Sequence, residues 1–130
     1  LLGGLLALEI NIPENWTELF FKETIIGLCK INKLQNARCR ITIWRDGEGF
    51  YQPQINDAAI LIEVSAQESE EYILNETGVR LGVFTNLTKT ANILSPYKTA
   101  NSLVYVLAAK YAVEQNFDDV VVLNLSLIHI

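Results

Sequence analysis

The sequence has no methionine, not even at position 1, and only one histidine, two cysteines and three prolines in 130 residues. Each scarcity excludes something. His129 stands alone, and Cys29 and Cys39 sit one in an expected helix and one in an expected strand, so there is no His/Cys set at metal-ligand spacing and no Cys-x-x-Cys redox pair. Basic residues are also few: ten Lys and Arg against fifteen Asp and Glu leave a formal net charge of −5, the opposite of what a phosphate-backbone partner selects. No Gly-rich phosphate loop, internal repeat or low-complexity tract occurs. The longest opening apolar run, Leu1 to Leu8, is too short to span a bilayer and stops at Glu9. Asn-x-Ser/Thr matches begin at Asn15, Asn75, Asn86 and Asn124, but with no secretory signal they read as chance. The two thiols then read as buried and free, which suits a reducing cytoplasm.

What is present is a globular composition, 50% hydrophobic and 19% charged, enough for one modest domain or parts of two. The missing initial Met and the opening inside an apolar run lead us to expect an internal fragment. The far end is unusual too. Leu125-Ser126-Leu127-Ile128-His129-Ile130 resembles the in-frame translation of a sequencing adapter, so a non-native tail is expected over 125–130 and His129 carries no functional weight.

Strands and helices interleave along the chain, which gives an α/β (α+β) class. Leu1, Leu5 and Leu8 fall at helical spacing. Asn15 is the expected cap of a second helix, with Glu18 as capping-box partner and Phe21, Ile25, Leu28 and Cys29 as its buried stripe. Arg38 to Trp44 alternates as a strand, with Arg38, Arg40, Thr42 and Trp44 on one face and Cys39, Ile41 and Ile43 on the other. The turn Asp46-Gly47-Glu48-Gly49 follows, and then strands over Ala59–Val64 and Val79–Phe84, with polar Glu68 to Glu71 between them as the expected linker. A loop from Asn86 to Tyr97 leads to a helix over roughly residues 100–115, with Leu103, Val106, Leu107 and Tyr111 on one stripe. The last strand is Val120 to Asn124.

Lys98 is the candidate catalytic residue. The proline-marked turn Ser95-Pro96-Tyr97 delivers it to the mouth of that apolar helix. An ammonium partly dehydrated there by a packed neighbour can give up its proton near neutral pH, and a free amine is what a Schiff base with a carbonyl cofactor requires. On position alone, a plain surface lysine at a helix start is the alternative.

The wider wording resembles a known family. Lys98-Thr99-Ala100-Asn101-Ser102-Leu103, then Val106-Leu107-Ala108, then Asp118-Asp119 before Val120-Val121-Val122-Leu123-Asn124, is similar to class IV aminotransferases, the fold-type IV pyridoxal-phosphate enzymes. Those include branched-chain and D-amino acid aminotransferases and 4-amino-4-deoxychorismate lyase. Asn36 to Gly47 resembles the family strand ending in an Arg-Gly turn, and Gly49-Phe50-Tyr51-Gln52-Pro53 its Gly-Tyr-x-Pro segment.

The resemblance implies a fragment of the two-domain D-amino acid aminotransferase-like fold. Residues 1–67 would be the remainder of the smaller N-terminal domain, 68–71 a linker and 72–124 the start of the larger cofactor-binding domain. It implies pyridoxal 5'-phosphate as cofactor, with Lys98 as the cofactor-binding and catalytic lysine that forms the Schiff base and shuttles the α-carbon proton. It implies Arg40 or Arg45 as the substrate-carboxylate residue, a guanidinium suiting that bidentate task; a solvated arginine at a strand edge is the alternative for each. Strand parity sets the two arginines on opposite faces unless the strand ends before Arg45. Tyr97 and Tyr51 could line the pocket or simply pack. The family's phosphate-binding arginine would fall just before Leu1, and the acid for the pyridine nitrogen after Asn124, so no useful activity is expected of the 130 residues alone.

The implied reaction is amino-group transfer between an amino acid and a 2-oxo acid, in a cytoplasmic homodimer. The alternatives are the lyase that releases pyruvate and 4-aminobenzoate for folate synthesis, and, from another class, a non-catalytic α/β interaction domain.

Overall fold

The computed structural model describes residues 1–68, 71 and 74–124. The expected tail at 125–130 lies outside these residues, and so does part of the expected linker. Contacts divide the chain into two compact units, one from Leu2 to Ile73 and one from Leu74 onward.

The first unit holds α1 (Leu2–Ala7), α2 (Glu18–Ile31), β1 (Ala37–Arg45) and β2 (Ala58–Ala66). The two strands pair antiparallel from Ala37↔Ala66 to Arg45↔Ala58, and α2 packs on β2. Helix α2 starts later than the sequence suggests. Its cap is Thr17, whose Oγ1 accepts from the Phe20 amide at 3.2 Å, because Pro13 and Asn15 are used in a preceding turn in which Pro13 O accepts from Trp16 N and Asn15 O from Thr17 N. The expected stripe of Phe21, Ile25, Leu28 and Cys29 does turn inward, but all four stay half-buried. The thiols differ from expectation: Cys29 is half-buried and Cys39 exposed. The two-stranded sheet leaves the Cys39 side chain open to solvent, although burial of part of it, and then the neighbouring Cys29, push its thiol pKa up.

The second unit is a βαβ arrangement of β3 (Leu81–Lys89), α3 (Leu103–Glu114) and β4 (Asp119–Asn124). β3 and β4 run parallel, with a register irregularity between Phe84 and Lys89, and α3 packs on both. A parallel pair requires such a crossover. The core is Phe84, Ala108 and Val122, each no more than 5% exposed, bordered by Val104, Tyr111 and Val120. The stripe that α3 buries is therefore not the expected one. Tyr111 belongs to it, but Leu103, Val106 and Leu107 face outward, while Ala108 and Ala112 are buried. The helix is apolar nearly all round, so periodicity could not choose a face, and the small alanines allow the closest approach to the sheet. Gly82 serves the same closeness: a Cβ there would meet the Phe117 ring at 2.5 Å.

The three helices among the described residues end alike. Glu9, Lys33 and Asn116 have φ of 54°, 56° and 55°. After each, an amide reaches back five residues (Ile10 N to Leu5 O, Leu34 N to Cys29 O, Phe117 N to Ala112 O), each at 2.9 Å. These are Schellman closures, here without the usual glycine.

Candidate active site

The segment from Thr90 to Ser102 carries no regular element, yet short polar side chains knit it together. Asn92 N donates to Ser95 Oγ at 2.8 Å, Leu94 N to Asn92 Oδ1 at 2.8 Å, and Ser95 N to Asn92 O at 3.0 Å. Tyr97 N then donates to Leu94 O at 3.0 Å and Thr99 N to Tyr97 O at 3.1 Å. Asn and Ser suit this work because their side chains reproduce backbone turn bonds. The loop so built presents Lys98, flanked by half-buried Thr99.

Lys98 is not at the mouth of the helix. α3 begins at Leu103, and Ser102 caps it without a side-chain hydrogen bond. Thr99 to Ser102 instead bond locally, Asn101 N to Thr99 Oγ1 and Ser102 Oγ to Ala100 O, which competes with helix formation. The amine is also exposed, so the packed neighbour expected to dehydrate it is not found within its own unit.

The exposed side chain opens on a cavity of about 780 Å³ beyond the carboxyl end of β3. Its wall combines strand residues Thr88 and Lys89, the loop around Ser95 and Lys98, and Ser102 and Tyr105 at the start of α3. Tyr97 and Asn101 line it as well, whereas Tyr51 is fully exposed in the other unit. The position fits a general property of α/β folds, in which ligands lie beyond the carboxyl ends of parallel strands. Among the described residues, Lys89 and Lys98 are the charged residues of this wall, and none of its lining residues is a carboxylate.

From the sequence Lys89 reads only as a surface lysine, and Tyr105 carries no expected role. Lys89 Nζ donates to the Tyr105 hydroxyl at 2.8 Å and lies 5.3 Å from the centre of that ring. The sequence hides this pair because Thr85 to Lys89 lack an apolar alternation, so the strand reads as ending at Phe84. Its continuation to Lys89 carries that amine to the cavity.

The two arginines belong to the first unit and are not brought together. β1 runs through Arg45, so the strand does not end early and the arginines occupy opposite faces. Five residues along a strand put them roughly 17 Å apart, and one substrate carboxylate cannot meet both. Arg40 stands directly opposite Glu63 in the ladder and makes a cross-strand ion pair, Nε to Oε2 at 2.8 Å and Nη2 to Oε1 at 3.3 Å. That hydrogen bonding holds the Glu63 carboxyl below its ordinary pKa and the Arg40 guanidinium above its own. Arg40 stays 70% exposed. Arg45 is spent inside the unit: Nη2 donates to Leu8 O at 2.6 Å, and Nη1 to Glu9 O at 3.2 Å and to Asn56 Oδ1. It caps the carbonyl end of α1.

Among the described residues there is no group of acids, histidines and cysteines that could hold a metal ion, and no helix is long and apolar enough to cross a membrane. A family model described as amino-transferase class IV matches residues 2–126. No curated protein and no solved structure matches the chain.

Proposed function

The chain belongs to the class IV aminotransferases, a family of pyridoxal-phosphate enzymes, and from that premise we propose that Lys98 is the lysine that attaches the cofactor and that the reaction is amino-group transfer between an amino acid and a 2-oxo acid. The observation that carries this reading is the exposed Lys98 on a cavity wall that has no carboxylate among the described residues. The chemistry of the wall fits pyridoxal 5'-phosphate. An accessible primary amine can take its aldehyde, and Thr88, Ser95, Asn101 and Ser102 offer hydroxyl and amide partners to its polar edges. The volume lies in the range of cofactor sites, roughly 300–1,000 Å³.

When bound, the cofactor supplies an electron sink for the charge left on the substrate α-carbon. The chain's own contribution is to move the proton. Lys98 Nζ, free between its periods of attachment, takes the α-proton as a base and returns it as an acid. The knitted loop from Asn92 to Thr99 restrains the backbone at Lys98 and so limits the positions its amine can reach.

Of the two arginines, Arg40 is the one whose guanidinium can exchange its partner: a substrate carboxylate would replace Glu63. Arg45 would have to release α1 to do the same. We further propose that the unit from Leu2 to Ile73 is the remainder of the smaller domain and that the unit from Leu74 begins the cofactor-binding domain. The homodimer and the cytoplasmic location rest on the family alone.

The test is borohydride reduction of the chain mixed with pyridoxal 5'-phosphate, followed by peptide mapping. One pyridoxyl adduct on Lys98, absent from Lys98→Ala, is the expected result; adducts spread over several lysines would sink the assignment. Transfer is then separated from elimination by a coupled assay of the full-length enzyme. Pyruvate released from aminodeoxychorismate without an acceptor oxo acid means the lyase. Activity and cofactor spectrum unchanged by Lys98→Ala in the full-length protein would favour an interaction domain over either enzyme.

A further inference from the structure

We infer that Lys89, steered by Tyr105, is the oxyanion anchor of the Lys98 cavity and takes a carboxylate of the substrate. The inference builds on the reading of Lys98 as the cofactor lysine, and four observations carry it. Lys89 is the last residue of β3 and reaches the cavity at the carboxyl end of that strand. Its side chain is half-buried and held in one direction by the 2.8 Å bond to Tyr105, so little side-chain entropy is left to lose when an anion binds. An ammonium has three donors and Tyr105 takes one, which leaves two for a carboxylate's two oxygens. Neither Lys89 nor Lys98 has an ion-pair partner among the described residues, and the wall holds no acid.

Two cations on one wall without a counter-charge attract an anion, and the cavity focuses that attraction. The two amines divide the work by their settings. Lys98 projects from a loop with no hydrogen bond of its own among the described residues and is free for covalent chemistry. Lys89 is oriented, and orientation is what non-covalent recognition uses. A carboxylate fits this single ammonium better than a phosphate dianion does, since phosphate sites gather several donors around three oxygens.

The experiment follows the side-chain signals of lysines labelled with carbon-13 at Cε, in the whole chain, as succinate and separately inorganic phosphate are added. Succinate has no carbonyl to react with Lys98. Saturable binding of succinate is expected, with the Lys89 signal moving most. Lys89→Gln weakens it about tenfold, the loss of one charge-assisted hydrogen-bond pair at a partly exposed site. Lys89→Arg keeps affinity within about threefold, and Tyr105→Phe, which removes the positioning bond and keeps the ring, costs about threefold. Circular dichroism confirms that each variant is folded. Succinate that does not saturate the wild-type chain, equal affinity in Lys89→Gln, or a loss confined to phosphate would each overturn the inference. The borohydride adduct on Lys98 is scored in the same samples. An adduct with unchanged succinate binding in Lys89→Gln removes only the Lys89 role, whereas weakened succinate binding without an adduct removes only the cofactor reading.

Discussion

Replacing Arg45 by glutamine separates a structural arginine from a substrate-binding one. The wild-type guanidinium makes three hydrogen bonds, to Leu8 O, Glu9 O and Asn56 Oδ1, and gathers three segments of the first unit. Those segments also meet through backbone bonds from Asn11 N to Asn56 O and from Asp46 N to Asp57 O, each 2.7 Å. Bonds from a charged donor are worth about 1.5–3 kcal/mol each when desolvated, but Arg45 is half-exposed and water replaces part of each, so about 2 kcal/mol in total is a reasonable sum. For a unit of this size that is a fall in melting temperature of roughly 8–16 °C. Both tryptophans of the chain, Trp16 and Trp44, lie in this unit, so tryptophan fluorescence reads its unfolding without interference from the other. Arg45→Lys should recover less than half of the loss, because one ammonium cannot span carbonyls and an amide on different segments. Amide exchange should quicken at Glu9 and Ile10, whose Schellman bonds close the helix that Arg45 caps. A midpoint that moves by no more than about a degree in Arg45→Gln would refute the argument, since even 1 kcal/mol shifts a small unit by roughly 4–8 °C.

Other expectations follow from the same geometry. The Arg40 hydrogen bond lowers the folded pKa of Glu63 below its ordinary 4.5, so the pair's stabilisation is complete above the unfolded value and fades as pH falls through the folded one. Arg40→Gln should move the Glu63 titration, followed by NMR, back up toward 4.5; an unmoved titration would mean that the pair is not formed in solution. Lys33 holds φ at 56°, a conformation that costs a non-glycine residue about 1–2 kcal/mol, partly offset by the greater freedom glycine gains in the unfolded chain. Lys33→Gly should therefore stabilise the first unit by about 0.5–1 kcal/mol in a denaturant titration, and a loss of stability would count against the Schellman closure there.

Much of the fold was legible because its signals are local. The alternation from Arg38 to Trp44 and the apolar runs at Ala59 and Val120 gave strands within three residues of their observed ends at either side. What was not legible depends on competition. Asn15 and Thr17 are both good caps, and the turn from Pro13 decides between them. Leu103, Val106 and Leu107 form as regular a stripe as Val104, Ala108, Tyr111 and Ala112, and only the closeness of Phe84 and Val122 selects the second. The ends of α2 and α3 fall where the sequence puts them, but their left-handed closures were not legible. The residues that adopt them are Lys and Asn, as Glu does after α1, and none is the glycine that announces such a closure.

For the site, the same distinction separates Lys98 from Lys89. Lys98 stands beside a proline turn and ahead of an apolar helix, so its neighbours in sequence mark it. Lys89 is marked only by its neighbours in space: a strand extended beyond its apolar part and a tyrosine sixteen residues on. The arginines are a different case. Their residue type and strand invite a carboxylate role, yet Arg45 already serves two backbone carbonyls and Arg40 a carboxylate of the protein itself. A guanidinium's worth to a ligand depends on what it must give up. Replacing Glu63 at an exposed pair costs little, because such pairs are worth little. Releasing α1 costs most of the roughly 2 kcal/mol that Arg45 contributes to the first unit. By that difference a substrate carboxylate would go to Arg40 before Arg45. Lys89 has only a tyrosine hydroxyl to share, so it has less to give up than either.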